Sequence, residues 1–190
     1  MNRPRTPAFF ITVIAVLLVG FTGRPAVFAA TDLGPPVGTV LDIGTPKDQT
    51  GTPRTMASLA GEKGVVFAFF RAASWCPYCL AQLIDLNAHK VAFEERGYKL
   101  AGMSYETPEI LAESAMKHGL DFTLLADPDS TIINKYGLRD PQYKEGSKAY
   151  GVPRPIVFIL SPDGTIEAKL FEETYKTRPS IEAILAALDR

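Results

Sequence analysis

Apolar residues along the chain occur in two kinds of pattern, continuous runs and helical spacing, and the two kinds take turns. This order predicts strands that alternate with helices. Residues 65–70 form an uninterrupted apolar run, which predicts a strand buried on both faces. Apolar residues at helical spacing then follow over residues 77–96. Pro77 suits the first helical position and Gly97 lies just past the end, so a single helix is predicted there.

The rest of the chain continues the alternation. Thr107 and Pro108 are typical of a helix start, and Ser180 is a suitable cap for a final helix. The turn at 161–164 predicts a hairpin. The segments are a strand at 98–105, a helix at 107–117, a strand at 122–126, a helix at 130–136, a surface loop at 139–151, paired strands at 156–160 and 165–171, and a helix from 181.

Residues 31–53 are rich in Gly, Pro, Thr and Asp, which predicts an irregular lead-in with a short strand near 39–43. A helical turn is predicted near 55–60. The order of elements indicates βαβ units with an antiparallel edge. The predicted fold class is therefore α/β, a mixed central sheet flanked by helices.

The first thirty residues have the pattern of a signal peptide. Arg3 and Arg5 precede a nearly continuous apolar run over residues 8–21, and small residues at Ala29 and Ala30 suit cleavage after either one. The alternative is an uncleaved membrane anchor. Both interpretations place residues 31–190, a single domain, outside the cytosol, in the periplasm or another extracytoplasmic space.

The composition and net charge narrow the classes of function that this protein can have. The 190 residues are 46% hydrophobic and 22% charged, with a formal net charge of −1. This composition is typical of a globular protein and offers no basic patch for nucleic acid. Membrane contact is expected only if the N-terminal segment stays attached. Two cysteines cannot form a multi-bridge scaffold, although they can form one reactive pair.

Both cysteines, Cys76 and Cys79, lie at the predicted strand-to-helix junction. A helix N-terminus offers free backbone N–H groups and a positive dipole end, which stabilise a thiolate. Thiols in such pairs have pKa values of roughly 3.5–7.5. We expect Cys76 at the cap, as the more exposed thiol, and Cys79 facing the core.

Two other interpretations of the pair remain open. A structural disulfide is one, although it would close a very short loop and add little stability. A metal site is the other, but structural zinc needs four ligands and the remaining histidines are only His89 and His118. No metal and no cofactor are expected.

The chain resembles peroxiredoxin-like proteins of the alkyl hydroperoxide reductase/thiol-specific antioxidant family, which have a thioredoxin-like fold. The resemblance spans residues 34–170. It rests on segment 69–79 with Trp75, both cysteines and Pro77, on Leu-Leu-Ala-Asp-Pro-Asp at 124–129 with Tyr-Gly at 136–137, and on Arg-Pro-Ile-Val-Phe-Ile at 154–159 with Asp-Gly at 163–164.

The resemblance implies roles for four further residues. Pro155 falls where thioredoxin-like proteins have a cis-proline that faces the cysteine pair. Arg154 and Arg71 are candidates for holding a thiolate or polarising a peroxide oxygen. Trp75 is expected to shield the pair as a stacked aromatic ring. Ordinary structural or solvated roles remain the alternatives for these side chains.

The family comparison leaves the order of the two sulfurs open. Cys79 aligns with the peroxide-attacking cysteine of peroxiredoxins, and Cys76 takes the place of their usual Thr or Ser. In thioredoxin-like reductases the first cysteine is the nucleophile. The leading hypothesis is an exported, antioxidant thiol peroxidase that uses hydroperoxides and a thioredoxin-like external reductant. The alternatives are a thiol–disulfide oxidoreductase acting on protein disulfides and a non-catalytic binding module.

Overall fold

The computed structural model describes Met1 and residues 32–190. Apolar runs form a single five-stranded sheet. The strands are β1 (Gly64–Phe69), β2 (Tyr98–Ser104), β3 (Thr123–Ala126), β4 (Ile156–Leu160) and β5 (Ile166–Leu170). Their order across the sheet is β3-β2-β1-β4-β5. Strands β1, β2 and β3 run parallel to one another, whereas β4 pairs antiparallel with both β1 and β5. The predicted mixed sheet with a hairpin edge is therefore confirmed.

Strand β1 lies at the centre of the sheet and is buried along its whole length. Its side chains alternate between the two faces: Val66 and Ala68 join one apolar cluster, and Val65 and Phe67 join the other. A continuous apolar run is what a strand covered on both faces requires. The residues that follow β1 therefore begin in a region where apolar side chains cover both faces of the sheet.

Helices cover both faces of the sheet. They are α1 (Met56–Leu59), α2 (Pro77–Ala88), α3 (Lys90–Glu94), α4 (Pro108–His118), α5 (Thr131–Lys135) and α6 (Ile181–Leu188). Helices α2, α3, α4 and α6 contribute to one cluster, whereas α1, α5 and the segment before β1 contribute to the other. The predicted three-layer α/β fold is confirmed.

Two local predictions are wrong. The helix predicted over 77–96 is interrupted at His89, where φ is −103° and ψ is 9°. The His89 ring nitrogen Nδ1 lies 2.9 Å from the Asp85 carbonyl oxygen, so this side chain competes for a backbone group at the end of α2. The strand predicted near 39–43 is reduced to one bridge between Val40 and Thr165.

The predicted signal segment at 1–30 lies, apart from Met1, outside the described residues. Among the residues that the structure describes, no helix is both long enough and apolar enough to cross a membrane.

Candidate active site

Both thiols sit at the start of α2, one turn apart. Cys76 is the N-cap residue, and its Sγ accepts a hydrogen bond from the Cys79 backbone N–H at 3.3 Å. Pro77 occupies the first helical position, where the missing N–H removes no helical hydrogen bond. Both cysteines are free thiols. The predicted placement of the pair at the strand-to-helix junction is therefore observed.

Cys76 is the more exposed of the two thiols, as expected, but both are buried. The exposed fraction is 3% for Cys76 and 0% for Cys79. The physical reason is the connection after β1, in which Ala72 and Ala73 are buried in the same apolar cluster as the two sulfurs. This connection turns inward and covers the helix start, so neither sulfur faces solvent.

The surroundings of the two thiols shift their pKa values in opposite directions. The Cys76 thiol donates to the Cys79 sulfur, and this hydrogen bond does most to lower the pKa of Cys79, to about 6. Burial opposes the change, whereas backbone N–H groups of Ala72 and Arg71 and the charge of Arg178 assist it. The same contact and burial raise the pKa of Cys76. These surroundings therefore favour the thiolate form at Cys79 and the protonated form at Cys76.

A buried carboxylate fixes the loop before the pair. Glu106 accepts hydrogen bonds from the backbone N–H groups of Ala73 at 2.6 Å and Ser74 at 3.2 Å, and from the Ser74 hydroxyl. Ser104 at the end of β2 also donates to it at 3.3 Å. Because β1 and β2 are parallel neighbours, their carboxyl ends place the loop and Glu106 side by side.

Arg71 is 2% exposed and enclosed by aromatic rings. Its Cζ lies 4.0 Å from the Tyr175 ring centroid, 5.0 Å from that of Tyr143 and 5.5 Å from that of Trp75. Its Nη2 donates to the Tyr143 hydroxyl, whereas Nε and Nη1 have no partner among the described residues. The Arg71 guanidinium therefore lies in an aromatic cage formed by Tyr143, Tyr175 and Trp75.

Trp75 is 45% exposed and packs over Arg71, so its ring belongs to this cage. Its Nε1 donates to the Tyr105 hydroxyl at 3.1 Å.

Arg154 and Pro155 line a cavity of about 310 Å³ together with Asp140, Glu172 and Tyr175. The peptide bond before Pro155 is trans, as are all those among the described residues, so the cis isomer implied by the resemblance is wrong. The Arg154 backbone N–H donates to the Leu138 carbonyl at 2.7 Å, and this bond holds the chain just before β4. The trans isomer, which has the lower energy, is compatible with that bond.

Sequence reasoning missed Arg178, whose Nη2 lies 3.2 Å from the Cys79 Sγ. It also missed Gln82, which accepts from the Arg178 Nε at 2.8 Å. Arg178 is 99 positions from Cys79 along the chain, in an irregular segment between β5 and α6 without a motif. Gln82 offered a weak signal, as a polar residue one turn after Cys79 on the buried side of α2.

No group of three or more His, Cys, Asp or Glu side chains in the described part of the chain has an arrangement that could hold a metal ion. The Cys79 sulfur instead has a guanidinium beside it, with the Arg178 Nη2 at 3.2 Å.

Comparisons with known proteins identify the family of this chain. The AhpC/TSA family matches residues 38–169. A putative peroxiredoxin of Mycobacterium tuberculosis is 32% identical over 119 residues, which cover 63% of this chain and 74% of that protein. Peroxiredoxin Bcp of Escherichia coli is 28% identical over 138 residues, which cover 73% of this chain and 85% of the relative.

Solved structures share the fold. Peroxidoxin BcpB from Mycobacterium tuberculosis superimposes with a TM-score of 0.68 at 22% identity, covering 83% of this chain and 97% of that one. Peroxiredoxin Q of Xanthomonas campestris gives a TM-score of 0.64 at 24% identity, covering 77% and 89%. Sequence, fold and thiol geometry agree, and the chain belongs to the AhpC/TSA family of thiol-dependent peroxidases.

Proposed function

We propose that this peroxidase reduces hydroperoxides through a cycle between a Cys76/Cys79 dithiol and a disulfide, with Cys79 as the sulfur that attacks first. The observation that carries the assignment is the contact of Cys79 Sγ with a guanidinium, the Arg178 Nη2 at 3.2 Å, and the opposite directions of the two pKa shifts support it. A thiolate is the reactive form of cysteine, and these surroundings favour that form at Cys79. Its position also aligns with the peroxide-attacking cysteine of peroxiredoxins.

The first step oxidises Cys79. Its thiolate attacks one peroxide oxygen, so that an S–O bond forms and the O–O bond breaks. The second oxygen leaves with the bond's electron pair and takes a proton from solvent to become an alcohol, or water when the substrate is hydrogen peroxide. Cys79 is now a sulfenic acid.

The second step forms the disulfide. Cys76 gives up its proton and attacks the Cys79 sulfur, an S–S bond forms, and hydroxide leaves and is protonated to water. Cys76 Sγ already accepts a hydrogen bond from the Cys79 backbone N–H at 3.3 Å, so the resolving sulfur is in place before oxidation begins. An external dithiol protein of the thioredoxin type then reduces the disulfide by thiol–disulfide exchange, without a cofactor.

The alternative is a thiol–disulfide oxidoreductase in which Cys76 attacks a protein disulfide. Its nucleophile would be the thiol whose pKa is raised by the Cys79 contact and by burial. Both sulfurs are also buried, which suits a small substrate better than a protein disulfide. The geometry therefore favours hydroperoxides.

The test is consumption of hydrogen peroxide and of a small organic hydroperoxide by the reduced protein, with a thioredoxin system as reductant. Cys79→Ser is expected to abolish turnover. Cys76→Ser is expected to retain one stoichiometric round of peroxide reduction and to lose turnover. Retention of the first round by Cys79→Ser and its loss in Cys76→Ser would reverse the roles and favour the oxidoreductase.

We also propose that the protein acts outside the cytosol, in the periplasm. The support is the order of residue types in the first thirty positions: charged residues come first, an apolar run follows, and small residues come last. Fractionation of cells that express the full chain tests this proposal, with N-terminal sequencing of the product. A start at residue 30 or 31 in the periplasmic fraction is expected, and an intact chain in the cytosol would contradict it.

A further inference from the structure

We propose that Arg178 is a catalytic residue of this enzyme, the cation that holds the Cys79 sulfur as a thiolate. The inference rests on the proposed role of Cys79 as the first nucleophile. It adds a residue from the segment between β5 and α6, which lies outside the matched family region at 38–169.

The contact itself is direct. The Arg178 Nη2 lies 3.2 Å from the Cys79 Sγ, with the guanidinium as donor and sulfur as acceptor. A guanidinium is always charged and has only donors, so this hydrogen bond is strongest when the sulfur is ionised. The positive charge of Arg178 lowers the pKa of both Cys79 and Cys76.

The guanidinium is held in this position from its other sides. Its Nε donates to the Gln82 side chain at 2.8 Å, and its Nη1 donates to the backbone carbonyls of Thr177, at 2.8 Å, and Tyr175. Gln82 is buried and lies one turn after Cys79 on α2, so Arg178 spans two successive positions of one helix face. Gln82 is therefore a positioning residue for Arg178.

The other two candidate arginines have different surroundings. The Arg71 guanidinium lies among Tyr143, Tyr175 and Trp75. Arg154 lines the cavity beside Asp140 and Glu172. Within residues 32–190, the hydrogen bond from Arg178 is the one contact between a guanidinium and a cysteine sulfur.

The experiment measures thiolate fraction separately from peroxide chemistry. The fully reduced protein is alkylated with iodoacetamide between pH 5 and pH 9, and the rate at Cys79 is followed by mass spectrometry. Arg178→Gln is expected to slow alkylation about fivefold to tenfold at pH 6, because a smaller fraction of Cys79 is ionised. At pH 9, where the thiol is ionised in either protein, the rates are expected to agree within about twofold.

Arg178→Lys keeps the charge without the planar fork and is expected to give an intermediate rate at pH 6. Lys176→Ala removes one positive charge from the same segment and is the matched control, with an unchanged profile. An Arg178→Gln profile equal to that of the unaltered protein would overturn the proposal, as would equal slowing at both pH values.

If circular dichroism shows that Arg178→Gln is unfolded, Gln82→Ala decides the question. It removes the acceptor of the Arg178 Nε, so alkylation at pH 6 is again expected to be slower than in the unaltered protein, with agreement at pH 9, and a profile equal to that of the unaltered protein overturns the proposal. Peroxide consumption is measured in parallel. The unaltered protein could consume no hydroperoxide while Arg178→Gln still slows alkylation at pH 6 and not at pH 9. That result would refute the peroxidase cycle and would still support the role of Arg178 in holding the Cys79 thiolate.

Discussion

Glu106 and Ser74 are joined by two hydrogen bonds, from the Ser74 backbone N–H at 3.2 Å and from the Ser74 hydroxyl, although they lie on loops that follow different strands. The Ala73 N–H adds a third bond to the same carboxylate. The loop that precedes Cys76 is thus tied to the end of β2, and the position of the helix start depends on one buried side chain.

The first prediction concerns the stability and activity of the variant Glu106→Gln. The amide presents an N–H₂ group where the loop supplies donors, so at least one buried N–H loses its acceptor. We expect a loss of about 1–3 kcal/mol in the free energy of unfolding, measured in urea. Peroxidase kcat/KM is expected to fall on the order of 10-fold to 100-fold because the cysteine turn is misplaced. Exposed Glu113→Gln on α4 is the control, and equal effects in the two variants would contradict this role.

The second prediction concerns the pH dependence at Cys79. Its lowered pKa of about 6 predicts that the alkylation rate rises about tenfold between pH 5 and pH 7 and then levels off. Cys76→Ser keeps a hydroxyl donor beside the sulfur, and the low pKa should persist. Cys76→Ala removes the donor that contributes most, so the pKa of Cys79 should rise. A midpoint near 8.5 in the unaltered protein would refute this prediction.

The third prediction tests the aromatic cage. Tyr143→Phe removes the hydroxyl that accepts from the Arg71 Nη2 and leaves a further buried nitrogen without a partner. We expect a loss of about 1–3 kcal/mol in the free energy of unfolding. Tyr175→Phe keeps the ring 4.0 Å from Arg71 and should change stability by less than about 0.5 kcal/mol. Indistinguishable urea midpoints would show that the Tyr143 hydroxyl is dispensable.

The fourth prediction concerns Asp48, which is 1% exposed. Burial raises its pKa, but hydrogen bonds from Thr50, Arg54 and Thr52 outweigh that effect and lower it below the ordinary value. Its stabilisation is therefore complete above about pH 4 and is lost as the pH falls through the folded-state pKa. Asp48→Asn should cost about 1–3 kcal/mol at pH 7.

The difference in free energy of unfolding between Asp48→Asn and the unaltered protein should shrink as the pH falls below about 4, and should be smallest below the folded-state pKa of Asp48, where both carry a neutral side chain. Asp121→Asn is the comparison. It removes an exposed ion pair with Lys90 and should cost less than about 1 kcal/mol at any pH. A pH-independent loss in Asp48→Asn would show that the charge of Asp48 contributes nothing.

The pattern of the sequence predicted the elements that depend on local rules. The apolar run of β1, Pro77 at the start of α2 and the Ser180 cap of α6 are all observed. It could not predict the break at His89, because that break depends on a side chain competing for one carbonyl. Arg178 and Tyr143 were missed for a different reason. Each lies in an irregular segment, and only the folded chain brings them to residues that are 99 and 72 positions away.

The complete burial of Cys79 has a kinetic consequence. A sulfur with no accessible surface reacts only during local opening of the structure, so the frequency of opening sets an upper limit on its rate. A bulky electrophile requires a larger and rarer opening than hydrogen peroxide does. We therefore expect the site to discriminate among oxidants by molecular size, because bulky electrophiles reach the Cys79 sulfur less often than hydrogen peroxide does.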